Sequence, residues 1–409
     1  MLLHLGNPFL TKTLTNQMKK ITILILVCAF VACNKKDQTN STIKKSDQPE
    51  SCGFGITSFN LSKRSPIIEE PYSTRGGHGG GTTGGGGTGG GGSTPAGVIL
   101  LDFDGQTVTG TNWNTTITNL VCVPANLSSQ TISNIVNRVA NDYSPFNVII
   151  TTDETVYNAA PINKRMRVIV TETWEWFGQA GGTSFIGSFT WGDNTPCFVF
   201  SSLLNYDEKK IAEAASHEAG HTFGLKHQAV YNGTVLVSQY NYGTGSGEIG
   251  WAPIMGCSYN QNLSTWHNGP NTVSSTTFQD DAGIIASVVG SVNDDYSNTT
   301  TGATPLTTSL NGIINSATDV DFFSVNLNQG KTLSVIPYNV GAGNSGADID
   351  IVVKIYNSQG QLISTVDDPS SLQVVTSISA GQYYISVSAT PNPYASTYGM
   401  RGKYSINLN

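Results

Sequence analysis

At 409 residues the chain is longer than a single hydrophobic core usually grows, so two domains with tails are expected rather than one. Charged residues make up only 12%, the formal net charge is -7 and the pI is about 5.3, which argues against a basic footprint for phosphates and against a nucleic-acid partner. Glycine supplies 45 residues, but the excess is concentrated in one tract and marks a linker rather than a fold.

In chain order, Met18-Lys19-Lys20 gives a positive start and Ile21 to Phe30 a short apolar run, the pattern of an export signal preceded by an over-long residues 1–17. About ten apolar residues are too few to span a bilayer. Val31-Ala32-Cys33 follows and resembles the lipobox of bacterial lipoproteins, although Phe30 stands where that pattern has Leu. The resemblance implies that Cys33 is lipidated and anchors the chain to a membrane; a plainly cleaved secretory signal is the alternative. Residues 1–33 are thus a signal and lipobox region. Both readings place the protein outside the cytoplasm, as an outer-membrane or cell-surface lipoprotein or as a secreted protein.

Residues 34–96 are polar and then almost pure Gly and Thr, too poor in apolar surface to offset the entropy of ordering, and read as a disordered tether. Disulfides persist outside the cytoplasm. Four cysteines after the lipobox, Cys52, Cys122, Cys197 and Cys257, allow three pairings. Cys197 with Cys257 or with Cys122 is expected, since Cys52 falls in the tether; four unpaired thiols are the alternative.

Order begins at Gly97 to Phe103, an apolar run of strand length. A helix follows, capped by Ser128 or Ser129, with Ile132, Ile135, Val136 and Val139 at helical spacing, and Ser144-Pro145 ends it. Phe146 to Thr151, Arg167 to Thr171 and Phe198 to Phe200 read as strands. A second helix runs from near Asp207 to about Phe223. Strand, helix, strands, helix is the order of an α/β layer domain, assigned to residues 97–297. After a polar boundary at Asn293 to Thr304 the pattern changes to short alternating runs around Phe322, Leu333, Ile351, Tyr383 and Tyr404, an all-β sandwich over residues 304–409.

The second helix carries His217-Glu218-Ala219-Gly220-His221-Thr222-Phe223-Gly224-Leu225-Lys226-His227. Residues four apart lie on one helix face, so His217 and His221 can offer two imidazole nitrogens to one ion. Glu218 is turned aside by about a third of a turn and can reach a metal-activated water without ligating the metal. Gly224 suits the left-handed turn that ends a helix, after which His227 can return as a third ligand. Three neutral ligands leave Zn²⁺ an open position, the arrangement of a catalytic site. Glu218 is then expected to act as general base and acid in the attack of a zinc-activated water on a peptide carbonyl.

These eleven residues resemble the extended zinc motif of the metzincin metallopeptidases. The resemblance implies an α+β or α/β metzincin-like catalytic domain over about Val98 to Val289, a twisted sheet plus active-site helix with a cleft. It also implies a methionine turn at Pro253-Ile254-Met255-Gly256, with Met255 as an apolar floor beneath the histidines. Where astacins and serralysins place a zinc-approaching Tyr this chain has Cys257, leaving Tyr259, out of register, as a candidate transition-state donor. Cys197 to Ser201 is expected to be the edge strand that binds substrate, and Gly181 to Thr190 a loop near the cleft. Phe185, Trp191, Trp251 and Trp266 are the candidates for specificity. Cys52 could cap the zinc as the cysteine switch of matrix metalloproteinases does, but the residues around it do not match that switch.

Asp102, Asp104, Asp280 and Asp281 are candidate ligands of a Ca²⁺ ion or caps of helices and turns. The C-terminal part resembles the bacterial pre-peptidase C-terminal domain, at Asp319 to Phe323, Asp348-Ile349-Asp350, Ile355 to Gly360 and Ala380 to Tyr384. That likeness implies an accessory role, and Asp348 and Asp350 again offer calcium ligation or turn capping. The whole reads as an extracellular zinc endopeptidase, a monomer acting on a protein or peptide. The alternative is a surface-anchored binding or adhesion lipoprotein that keeps an inactive zinc domain as scaffold.

Overall fold

The computed structural model describes residues 50–53, 96–340 and 346–409. The described residues belong to one compact unit; residues 1–44 and 55–60 lie outside the described residues, as do Cys33 and most of the expected tether. The chain is sheet-rich with few helices. No helix among the described residues is long and apolar enough to cross a membrane.

The first half contains strands β1 (Glu50–Gly53), β2 (Gly97–Asp102), β3 (Gln106–Val108) and β4 (Leu120–Cys122), then helix α1 (Ser129–Asp142). It continues with β5 (Val148–Thr151), α2 (Glu154–Ala159), β6 (Arg165–Thr171), β7 (Ala180–Ser184), β8 (Cys197–Phe200) and α3 (Glu208–Thr222). One six-stranded sheet has the order β1-β7-β8-β6-β2-β5. Strands β5, β2, β6 and β8 are parallel, whereas β7 turns back antiparallel to β8 and β1 lies antiparallel to β7. The parallel strands are covered on both faces, so they read as unbroken apolar runs. Ile99, Leu101, Val168, Val170 and Val199 face α1 and α3, while Val98 and Leu100 face α2, and Ile169, Phe198 and Phe200 face the aromatic layer beneath β3 and β4. Each such side chain contributes about 1.5–3 kcal/mol on burial.

Both long helices start where their cap residues require. Ser128 accepts from the Thr131 amide at 3.1 Å, and Asp207 from the Lys210 amide at 3.0 Å. After α3 come β9 (Val230–Asn232), β10 (Val235–Ser238), β11 (Trp251–Pro253), β12 (Leu263–Thr265), β13 (Asn268–Asn271), β14 (Ser274–Asp280) and α4 (Asp281–Val289).

The rest is β15 (Thr304–Pro305), β16 (Ser309–Ile314), β17 (Val320–Leu327), β18 (Lys331–Pro337), β19 (Ile351–Asn357), β20 (Leu362–Val366), β21 (Val374–Ile378), β22 (Gly381–Ala389) and β23 (Gly402–Leu408). A five-stranded sheet, β15-β17-β22-β19-β20, faces a four-stranded one, β16-β23-β18-β21. Phe323, Leu333, Val335, Val353, Ile385, Val387 and Ile406 fill the core between them, as the alternation demands, and Trp251 and Leu263 of the first half pack into the same cluster.

Four expectations change. Residues 197–200 are an interior strand, because β7 folds back outside it; residues 181–184 of the expected loop belong to β7, with β1 beyond it at the sheet edge. Residues 50–53, expected to be tether, form β1 on that strand. Cys122, Cys197 and Cys257 are free thiols, so neither expected disulfide forms. Of the four specificity candidates, Phe185, Trp251 and Trp266 are buried in cores, the commoner place for large rings, and Trp191 is half-buried. Phe185 and Trp191 pack with Trp113, Trp251 donates to Thr265 Oγ1 at 2.8 Å, and fully buried Trp266 donates to the Asp142 carbonyl at 2.7 Å.

Candidate metal centre

Helix α3 brings His217 and His221 onto one face, and the turn after it returns His227. Gly224 adopts φ +112°, a conformation a side chain would strain, and its amide bonds the His221 carbonyl at 2.9 Å. The three rings close into a triangle with centroid separations of 4.7, 5.1 and 4.8 Å, and one nitrogen from each falls within 4.8 Å of the others. His217 Nδ1 is 2.7 Å from the Ile254 carbonyl and His221 Nδ1 2.7 Å from the Leu225 carbonyl. With those nitrogens as donors, the Nε2 atoms carry the lone pairs, and neither has a hydrogen-bond partner among the described residues. Burial pushes His217 down to about 4 and His221 and His227 well below the usual histidine range, so all three imidazoles are neutral at pH 7. Buried neutral rings with converging lone pairs fit a divalent ion of borderline softness.

Glu218 is fully buried beside them, and Ser184 Oγ donates to its Oε2 at 2.6 Å. That bond comes from β7, which passes so close that a Cβ on Gly182 would stand 2.6 Å from Glu218 Cγ. Beneath the helix, Met255 is completely buried, and a Cβ on Gly220 would stand 2.6 Å from its sulfur. The Gln228 amide bonds the Met255 carbonyl at 2.7 Å, so the segment carrying His227 is tied to the methionine turn.

Tyr259 is nearly buried in the small cavity with His217, Ile254, Cys257 and Glu213. Tyr240 lies against the His227 ring, 4.3 Å between centroids with the planes tilted by 39°. Sequence spacing gave no sign of it, because it arrives from the segment after β10.

The expected calcium ligands do not gather. Asp102 pairs with Arg167 at 2.5 Å, Asp104 is exposed, and Asp280 caps α4 through the Gly283 amide at 2.7 Å. Asp281 accepts from Gln228, Gln279 and the His267 amide at 2.9 Å each, and Asp350 accepts from Asn392 at 3.0 Å. Asp348 is bonded by Asn141. Among the described residues, the acids close enough to share an ion are Asp294, Asp319 and Asp321.

No family model matches the chain. No curated protein matches it either. Similar solved structures include the pre-peptidase C-terminal domain of collagenase from Bacillus anthracis, at 13% identity over 26% of this chain and 90% of that one, with a TM-score of 0.18. Two others are PliG, a periplasmic inhibitor of g-type lysozyme, from Aeromonas hydrophila (15% identity, 26% and 96% covered, TM-score 0.19) and from Salmonella Typhimurium (19%, 26% and 96%, TM-score 0.18). At TM-scores this low the likenesses carry no argument about what this chain does.

Proposed function

We propose that the protein is an extracellular zinc endopeptidase of the metzincin type with an accessory C-terminal sandwich. The observation that carries the reading is the pairing of three buried, neutral imidazoles on one point with a buried carboxylate that needs no part in holding the ion. His217, His221 and His227 would hold zinc, which when bound polarises a carbonyl and lowers the pKa of water toward about 7.

The chain's own residues do the rest. Glu218 takes the proton of the attacking water and hands it to the departing amine, and Ser184 fixes the direction of that carboxylate. Strand β7 offers its outer edge to an extended peptide, a mode in which main-chain hydrogen bonds supply affinity. In this chain β1 takes that place, with Ser51 opposite Thr183 and Glu50 opposite Ser184, which demonstrates that the edge accepts an antiparallel strand. Gly182 lets the paired strand and the carboxylate approach each other.

The test is hydrolysis of an unstructured protein by the zinc-loaded chain, by the chain after chelation and zinc return, and by His227→Ala. The reading expects cleavage that disappears on chelation, returns with zinc and is absent in His227→Ala. A folded, zinc-loaded chain without N-terminal residues 1–96 that cleaves nothing would favour the binding lipoprotein instead.

A further inference from the structure

The two halves of the compact unit meet at a buried group of acids. Asp142 ends α1 and Asp348 precedes β19; they are 4% and 2% exposed, and their carboxyl groups lie within hydrogen-bonding reach of each other. Each is also held by its own donor. Ser216 Oγ donates to Asp142 Oδ2, and Asn141 Nδ2 donates to Asp348 Oδ2. Asn141 Oδ1 in turn accepts the Lys403 amide of β23 at 3.0 Å, so this one side chain reads both the acid and the backbone of the sandwich. Asp348 Oδ1 has no donor among the described residues. Two ionised carboxylates facing each other in a buried site would repel strongly, which favours a proton on one of them.

Charged groups approach the pair from three elements. Glu213 and Lys209 on α3 face it, paired with each other at 3.2 Å, and Lys403 faces it from β23. Tyr143 contributes a neutral phenol, donated to the Ser216 carbonyl at 2.9 Å. Arg138 of α1 also approaches from beside Gly346, where a Cβ would stand 3.5 Å from its Nη1, and it pairs with Glu208 at 3.4 Å. Sandwich backbone closes the site: a Cβ on Gly402 would be 2.9 Å from Asp348 Cβ, and one on Gly346 2.9 Å from Glu213 Oε1.

We propose that Asp142 and Asp348 share one proton and so form a pH-sensitive latch that fixes the sandwich to the helix pair α1 and α3. Neighbouring bonds would hold with or without it, since Ala347 exchanges backbone bonds with Asn262 and Ser264 at 2.8 Å each. The latch adds a pH-dependent tie to a contact that those backbone bonds already make.

Burial pushes Asp142 up to about 8 and Asp348 well above the carboxylate range. A folded-state value above the unfolded one means stability that is complete below about pH 4, where unfolded aspartate titrates, and is lost as pH rises through about 8. One proton makes the unfolding constant rise about tenfold per pH unit across that window.

The experiment is urea unfolding of the full chain between about pH 5 and 9, for the natural protein, Asp348→Asn and Asp142→Asn. An asparagine reproduces the protonated acid, so each variant is expected to lose about tenfold per pH unit of the natural protein's pH dependence. Parallel pH profiles for all three chains would overturn the latch. If a variant fails to fold, the carboxyl ¹³C resonances of the natural chain decide: one of the pair is expected in the protonated range at pH 7, and two ionised resonances there would overturn the proposal. Neither readout uses turnover, so the latch stands or falls apart from the peptidase reading.

Discussion

Replacing Ser184 by Ala removes a single hydroxyl from the candidate site and leaves the metal ligands untouched. Ser184 Oγ donates to Glu218 Oε2 at 2.6 Å, and both residues are fully buried, so water cannot replace the bond without rearrangement. A hydrogen bond to a charged group contributes about 1.5–3 kcal/mol. If that is spent on holding the carboxylate in its reactive direction, kcat/KM should fall by about tenfold to a hundredfold. The assay is hydrolysis of a fluorogenic peptide or labelled casein, with zinc content measured on the same sample. The expected result is full zinc occupancy, a small loss of stability and the stated loss of rate. Activity within about twofold of the natural chain at full zinc would refute the positioning role of Ser184.

Gly220→Ala places a methyl 2.6 Å from the Met255 sulfur and 3.3 Å from Trp266, so it should destabilise the chain by about 1–3 kcal/mol, read as a fall of several degrees in Tm. A chain starting at residue 97 lacks β1 and exposes the outer edge of β7; it should cleave an unfolded substrate roughly tenfold faster than the full chain, the effect of about 1.4 kcal/mol of strand pairing, and equal rates would contradict that occupancy. Beside Asp294, Asp319 and Asp321 each keep one buried carboxylate oxygen without a hydrogen-bond partner among the described residues. About millimolar Ca²⁺ should therefore raise Tm by several degrees, and Asp321→Asn should abolish the rise; calorimetry with and without the ion checks both.

The convergence of the three histidines was legible because their geometry is local. A separation of four on a helix and a glycine at its end dictate where two imidazoles and the returning chain go, and the cap residues Ser128 and Asp207 fix the helix starts for the same reason. The sandwich strands were legible because alternation survives in a two-layer core. Strand β7 was not, because Ala180-Gly181-Gly182-Thr183-Ser184 owes its smallness to the close passage of Glu218 and carries no apolar alternation. Tyr240 and the Asp142–Asp348 contact depend on segments distant in sequence, and no local period announces either. The aromatic residues Phe185, Trp251 and Trp266 were conspicuous in composition, yet burial drew them into cores, the usual destination of large rings, and Trp191 packs half-buried against one of them.

The claim that matters most is that Glu218 works on chemistry supported by zinc and does not hold the ion. Zinc per chain and the rate of peptide cleavage, measured on one preparation of Glu218→Ala, test it directly. The account predicts about one zinc per chain with turnover reduced by at least about a thousandfold. Loss of zinc from that variant, or turnover close to that of the natural chain, would contradict it.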